Sequence, residues 1–164
     1  MGATSCSHFV HLARGKDATM STQQNKAIVR RFFEQVINQG DFLVADELFS
    51  PDFGLAGSDH HQLRGPDRAR RTANLFRTAF PDIHFEIDDM IGEDDVVVVR
   101  VTFEGTHQGA FLGIEPTGRR VRVSGVELAR LENQKIVEEG WHYYGELQLL
   151  RQLGALPPGL HGQE

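Results

Sequence analysis

Cysteine is nearly absent from this sequence, which has one thiol, Cys6, among its 164 residues. A single cysteine excludes an internal disulfide framework and any metal site built from cysteines. Long apolar runs are also missing, since no stretch approaches the roughly 18 consecutive apolar residues of a membrane span. Residues 1–20 lack the apolar core of a signal peptide. The sequence therefore predicts a cytoplasmic protein with no membrane partner.

Positive charge is scarce, because 17 Lys and Arg residues are outnumbered by 23 Asp and Glu residues and the formal net charge is −6. The one local group of cations, Arg68, Arg70 and Arg71, is typical of the solvated side of a helix, so no nucleic-acid partner is predicted. Metal ligands lack chelating spacing, since His60 and His61 are adjacent and would point to opposite faces of an extended segment. The sequence therefore predicts no metal site.

The apolar content is sufficient for one folded core, with 40% hydrophobic residues and 11 phenylalanines. A chain of this length suits one domain better than two. Its ends are poor in apolar periodicity, and the last residues are rich in proline and glycine. The predicted division is a disordered N-terminal extension at 1–20, a folded domain at 21–156 and a frayed tail at 157–164.

Apolar residues recur at helical spacing in the first half of the domain and again near its end. The predicted helices lie at 23–39, at 41–48, from Gly65 to Pro81, and at 146–153. From residue 83 the period changes to two, which is typical of strands. The predicted strands begin at 83, 96, 119 and 135 and end at about 91, 107, 131 and 145, while 52–64 reads as a loop or short strand. Helices segregated from strands along the chain indicate an α+β fold with an antiparallel sheet.

Alternation along two of these strands predicts a shared concave surface. The residues on one face of 96–107 are Val101, Phe103, Gly105 and His107, and those on one face of 135–145 are Val137, Glu139, Trp141, Tyr143 and Gly145. An imidazole beside large aromatic side chains is what a pocket for a planar, apolar ligand needs. The alternatives are a turn histidine at 107, core packing for Trp141 and Tyr143, and a bulge at Gly140 that breaks the alternation.

Two segments in the second half of the chain resemble the motifs of SnoaL-like polyketide cyclases. Residues 105–113 read Gly-Thr-His-Gln-Gly-Ala-Phe-Leu-Gly, with Pro-Thr-Gly-Arg at 116–119. Residues 135–141 read Lys-Ile-Val-Glu-Glu-Gly-Trp, and Leu-Leu-Arg-Gln-Leu-Gly follows at 149–154. The helix beginning at Ala27 and the tripeptide Phe80-Pro81-Asp82 also fit, so the resemblance covers about 25–154.

This resemblance implies a cone-shaped NTF2-like barrel, in which a curved antiparallel sheet is packed by three N-terminal helices. It also implies a homodimer or homotetramer and chemistry without a cofactor. The family's cyclases close the last ring of an aromatic polyketide ester by an intramolecular aldol condensation. A pocket aspartate acts there as the acid and base, four residues after the motif tryptophan.

The sequence departs from this pattern at the position of that aspartate. Four residues after Trp141 stands Gly145, which has no proton to transfer. The leading candidate that remains for acid/base catalysis is His107, which matches the motif histidine. Glu146 is a candidate only if a bulge turns it toward the pocket, and Glu127, Asp59 and His60 are weaker candidates.

The predicted ligand is small and apolar or aromatic. The predicted pocket residues are Phe32, Phe33, Phe103, Phe111, Trp141, Tyr143, Gly145 and His60. Two functions follow: a cofactor-free enzyme acting on a carbon acid, or a ligand-binding protein that keeps the pocket and lacks the chemistry. An epoxide hydrolase or isomerase on the same fold is a third, although no Asp/Arg/Asp-like cluster is evident.

Overall fold

The computed structural model describes residues 21–55, 64–142 and 145–155. The predicted extension at 1–20 and tail at 157–164 lie outside these ranges. The α-helices in the described residues are α1 (Thr22–Arg31), α2 (Ala45–Leu48), α3 (Gly65–Ala79) and α4 (Gly145–Leu153). The strands are β1 (Phe49–Leu55), β2 (His84–Glu93), β3 (Val96–Thr106), β4 (Arg120–Glu132) and β5 (Lys135–His142). The predicted α+β class is confirmed.

The first helix begins at a capping box, in which the Ser21 side chain accepts from the Gln24 backbone and the Gln24 side chain accepts from the Ser21 backbone. The predicted helix at 23–39 is confirmed in extent, but its second half, Phe32–Asn38, is π-helical. Four of these seven residues are buried in the core. At the end of this segment Arg77 on α3 donates to the carbonyl oxygens of Ile37 and Asn38, which fixes α3 against it.

The five strands form one curved sheet in the order β1-β5-β4-β3-β2. Two features differ from the prediction. The pairing of β1 with β5 is parallel, so the sheet is mixed, and β1 and β2 are its two edges, so the expected barrel is not closed. The first strand, at Phe49–Leu55, begins before the predicted 52–64 segment and contains Pro51, a residue that usually interrupts strands. An edge strand tolerates proline because one side of its backbone needs no partner.

The predicted alternation along β5 is wrong in its details. A bulge falls at Val137, since Leu131 pairs with Ile136 while Arg130 pairs with Glu138. The sequence suggested Gly140 for a bulge, but Gly140 pairs regularly with Leu128. The strand ends at His142, so Gly145 is the first residue of α4 and does not lie on the strand.

Two amide side chains satisfy backbone groups that the sheet leaves open. Asn38 donates to the carbonyl oxygen of Phe85 at 2.9 Å and accepts from its N–H at 2.8 Å, along the free edge of β2. Gln152 on α4 donates to the carbonyl oxygen of Arg122 at 2.7 Å and accepts from its N–H at 2.9 Å. Arg122 lies on the part of β4 that extends beyond the end of β5. Strand edges invite pairing with other chains, and these amides occupy the open groups.

The second of these contacts predicts a stability difference between neighbouring glutamines of α4. Gln152→Ala should lower the free energy of unfolding by about 1–2 kcal/mol, because both backbone groups of Arg122 lose their partners. Gln148→Ala, at an exposed position of the same helix, should change it by less than about 0.5 kcal/mol. Urea denaturation of the two variants provides the comparison, and equal losses would contradict the role given to Gln152.

Candidate active site

The candidate site lies on the inner face of the sheet, where strand side chains are buried together with those of the helices. On β3 and β4 the odd-numbered residues point to this face, and most of them are buried. The predicted common face of Val101, Phe103, Gly105 and His107 is confirmed, since all four are buried. Side chains on this face of β3 and β4 therefore determine what chemistry the site can carry.

Glu127 lies on the inner face in the middle of the sheet. It is 1% exposed, and it is the only acidic residue among the buried polar residues of the described ranges. Its backbone pairs with Val99 on one side and with Trp141 on the other, so it is flanked by strands on both sides. A carboxyl group at such a position can exchange a proton with a substrate that reaches the inner face.

Gly125 precedes Glu127 by two residues and therefore shares its face. A side chain built on Gly125 would meet no atom of the described residues within 4 Å. The glycine is half-buried, whereas Val123 on its other side is 4% exposed. Among the described residues, no side chain therefore fills the inner face directly above Gly125, next to the buried carboxyl.

His107 follows β3 directly and is fully buried. Its Nδ1 accepts the backbone N–H of Thr117 at 3.2 Å and lies 3.1 Å from the hydroxyl of the same residue. The proton of the neutral ring is therefore assigned to Nε2, which has no hydrogen-bond partner among the described residues. Burial lowers the pKa of His107 below its ordinary value of 6.5, with a smaller opposing contribution from the backbone of Gly109.

The backbone and ring of His107 tie several segments together. Its N–H donates to the carbonyl oxygen of Arg119 at 2.9 Å, and its carbonyl oxygen accepts from Gly118 at 2.8 Å. Its ring packs against Phe80 with centroids 5.2 Å apart. Asp82 accepts from the backbone and hydroxyl of the preceding Thr106, at 2.6 and 2.7 Å. These contacts are those of a histidine that closes a turn, which the sequence left as the alternative.

The structure does not bring His107 and Glu127 together. Glu127 pairs with Val99, and His107 lies eight residues further along the same direction of β3. At the rise of an antiparallel strand, eight residues span roughly 26 Å, which is more than two side chains bridge. The two candidates therefore belong to opposite ends of the inner face.

The other predicted site residues are distributed as follows. Glu146 is the second residue of α4 and, like Gly145, does not extend the wall formed by β5. Trp141 lies on β5, where its backbone pairs with that of Glu127. Tyr143, Asp59 and His60 lie outside the described residues.

The four predicted pocket phenylalanines are all packed against other rings. Phe32 and Phe33 are 5.2 Å apart between ring centroids. Phe103 and Phe111 each contact both Phe76 and Phe80, at centroid distances between 5.0 and 6.0 Å. Phe103 and Phe111 therefore belong to the core at the His107 end of the sheet, whereas Phe32 packs against Phe49 of β1.

Sequence reasoning missed Gly125. The available signal was a glycine that interrupts an alternating strand between Val123 and Glu127, since an isolated strand glycine often marks a close approach of backbone to a ligand.

The described residues contain no group of three or more His, Cys, Asp or Glu side chains placed to hold a metal ion. None of the helices formed by these residues combines the length and apolar character needed to cross a membrane.

The burial of His107 predicts how stability responds to acid. The folded state lowers the pKa of His107, so it favours the neutral ring, and this stabilisation is complete above about pH 6.5 and lost as the pH falls below it. The free energy of unfolding should therefore fall more steeply from about pH 7.5 to pH 5.5 in the wild type than in His107→Gln. The pKa of Asp82 is lowered from 3.8 by its bonds to Thr106, so its contribution is lost only at lower pH.

Denaturant titrations at the two pH values measure this difference. His84→Gln, at an exposed position of β2, is the matched control and should keep the wild-type slope. An identical pH dependence in wild type and His107→Gln would contradict the prediction, because it would show that folding leaves the pKa of His107 unchanged.

Comparison with known proteins agrees with this architecture. The family model of the SnoaL-like polyketide cyclases matches residues 27–153. AclR from Streptomyces galilaeus, provisionally assigned as a hydroxylase, is 31% identical over 84% of this chain and 89% of its own, with a TM-score of 0.70. TsrD from Streptomyces laurentii is 26% identical over 84% of this chain and 99% of its own, with a TM-score of 0.75.

A protein from Jannaschia sp. CCS1, provisionally assigned as a SnoaL-like polyketide cyclase, is similar to the chain over 88% of its length and over 100% of that protein. The two are 25% identical, with a TM-score of 0.72. No curated protein matches the chain. The family model covers most of the sequence and the solved structures share its fold, so the chain belongs to the SnoaL-like polyketide cyclase family.

Proposed function

We propose that the protein is a cofactor-independent enzyme that performs acid/base chemistry on a carbon acid, with ring closure of a polyketide ester as the expected reaction. The observation that supports this most strongly is the carboxyl group of Glu127. It is buried on the inner face, and no atom of the described residues lies within 4 Å of the position that a Cβ atom on the nearby Gly125 would take. The resemblance to SnoaL-like polyketide cyclases implies a carboxyl group in this role.

The proposed reaction needs one group that takes a proton and returns it. The Glu127 carboxylate removes a proton from a carbon activated by a neighbouring carbonyl, which leaves an enolate. The enolate carbon attacks a ketone carbonyl in the same molecule, so one carbon–carbon bond forms and the ketone oxygen becomes an alkoxide. Glu127 then returns its proton to that oxygen, and no atom leaves the substrate. The surrounding apolar residues exclude water, which strengthens electrostatic interactions within the site.

The position of Glu127 distinguishes it from His107. The imidazole is engaged through Nδ1 by Thr117 and packed against Phe80. Its surroundings support a stabilising role at the end of β3. We therefore assign the proton transfer to Glu127.

A second candidate function is ligand binding without catalysis. It is favoured by Gly145, which stands where the resemblance places the family's aspartate and where the structure begins a helix. AclR, provisionally assigned as a hydroxylase, shares this fold, so fold alone does not select the reaction. The small apolar or aromatic ligand, the homodimeric or homotetrameric assembly and the cytoplasmic location remain predictions.

The catalytic assignment predicts a large effect of an isosteric substitution. Glu127→Gln should lower turnover at least about 100-fold, because the amide neither accepts nor returns a proton. Glu86→Gln, at an exposed position of β2, removes a carboxyl of the same type and should leave turnover within about twofold. Chromatography of the ring-closed product from an anthraquinone ester bearing a ketone side chain gives the rates, and thermal unfolding confirms that both variants are folded.

Three results would contradict this assignment. The first is full turnover by Glu127→Gln. The second is loss of turnover in a folded His107→Gln variant while Glu127→Gln stays active. The third is an inactive wild type that gains ring closure in Gly145→Asp, which would favour the ligand-binding function.

A further inference from the structure

The segment between β3 and β4 is a loop whose two ends meet at His107. The N–H of His107 donates to the carbonyl oxygen of Arg119 at 2.9 Å, and Gly118 donates to the carbonyl oxygen of His107 at 2.8 Å. Surface loops of this length with ends close together form compact units that are frequently functional. We call residues 108–118 the β3–β4 loop.

The outgoing half of the β3–β4 loop is fixed to the end of α3. The backbone N–H groups of Gln108 and Gly109 both donate to the carbonyl oxygen of Ala79, at 2.9 and 3.0 Å. A Cβ atom at Gly109 would collide with the backbone of Thr78, so the glycine permits this close approach. The ring of Phe111 is buried in the core. None of these contacts involves a group that titrates between about pH 5 and pH 8.

The returning half of the loop depends on the side chain of His107. Residues 112–116 form no hydrogen bond to other parts of the described chain, and the next contact is made by Thr117. Its backbone N–H donates to Nδ1 of His107 at 3.2 Å. In the charged imidazole both ring nitrogens carry protons, so Nδ1 becomes a donor. Protonation of His107 therefore removes the acceptor that holds the Thr117 backbone.

Charged side chains are present on the elements around this ring. They are Asp82 after α3, Glu104 on β3, Glu115 in the loop, and Arg119 and Arg120 where β4 begins. Asp82 accepts from Thr106, Arg119 donates to the carbonyl oxygen of Gln152, and Glu104 accepts from Arg120. Glu115 is exposed. Burial is therefore the main influence on the pKa of His107, and it lowers that pKa.

We propose that His107 is a pH-sensitive latch for the β3–β4 loop, in which the neutral ring holds Thr117 and the charged ring releases it. Because the closed loop lowers the pKa of His107 from 6.5, the latch is fully closed above about pH 6.5 and opens as the pH falls below it. Opening frees the returning half of the loop and leaves Phe111 as its remaining anchor in the core. The latch is independent of the reaction assigned to Glu127.

Hydrogen exchange of the Thr117 amide measures the latch directly. The exchange rate is determined at about pH 7.5 and about pH 5.5 and divided by that of an unstructured peptide at the same pH. Protection of this amide should fall by about threefold to tenfold at the lower pH, because the ring of the open loop becomes mostly charged over that interval. Equal protection at the two pH values would overturn the proposal.

Three variants separate His107 from the other titrating groups. In His107→Gln the amide oxygen accepts the Thr117 N–H at both pH values, so protection should change by less than about 1.5-fold. His84→Gln removes an exposed histidine of β2, and Glu115→Gln removes the carboxyl group of the loop itself. Both should keep the wild-type response. A wild-type response in His107→Gln, or its loss in Glu115→Gln, would overturn the proposal.

A titration of the wild type by NMR keeps the test valid if His107→Gln does not fold. The Thr117 amide proton should move upfield as it loses its hydrogen bond, with the same midpoint as the ring carbons of His107. That midpoint should lie below the ordinary value of 6.5. A Thr117 signal that does not follow the His107 ring, or a midpoint at or above 6.5, would overturn the proposal.

Discussion

The continuous pairing of β3 with β4 is the constraint on which the rest of the structure depends. It runs from Val96 opposite Arg130 to Thr106 opposite Arg120 without a shift in register. Because side chains alternate along a strand, moving this register by one residue would turn Glu127 to the outer face and expose the apolar residues of β4. The burial of one carboxyl group is therefore a consequence of the apolar pattern of two strands. The bulges that curve the sheet fall elsewhere, at Asp88 on β2 and at Val137 on β5.

Residues of the motifs that identify the family contact one another at the end of β3. Phe80 and Asp82, from one motif, hold His107 and Thr106, from another, by ring packing and by two hydrogen bonds. Thr117, from the segment that follows, holds the imidazole through Nδ1. Together these residues fix the end of β3 and the turn that leads to β4. The motif histidine thus stabilises one end of the sheet, while the proposed chemistry lies toward the other.

The parts of the fold that depend on local pattern could be predicted from the sequence. The two-residue alternation of β3 placed His107 on the buried face, and the helical spacing after Ser21 gave the extent of the first helix. The parallel pairing of β1 with β5 could not be predicted, because it joins segments that lie about 85 residues apart and a proline suggested a break. The sequence predicted that the last strand continues to about residue 145, whereas β5 ends at His142. The error arose because α4 begins only a few residues later, at Gly145.

The site was predicted less well than the fold, for a related reason. Glu127 was among the candidates, but nothing in its local sequence separates a buried glutamate from an exposed one. Only the pairing with Val99 and Trp141 shows that it lies between two strands. Gly125 carries no chemical group and becomes significant only when the space above it is known. A site that depends on strand pairing and on the space next to a glycine is therefore hard to recognise in a single sequence.

The most direct test of the account is a crystal structure with a planar, unreactive substrate analogue bound. The account predicts that the carbon that would lose its proton lies about 3–3.5 Å from a carboxyl oxygen of Glu127. A ligand bound beside His107, with Glu127 out of contact, would contradict it.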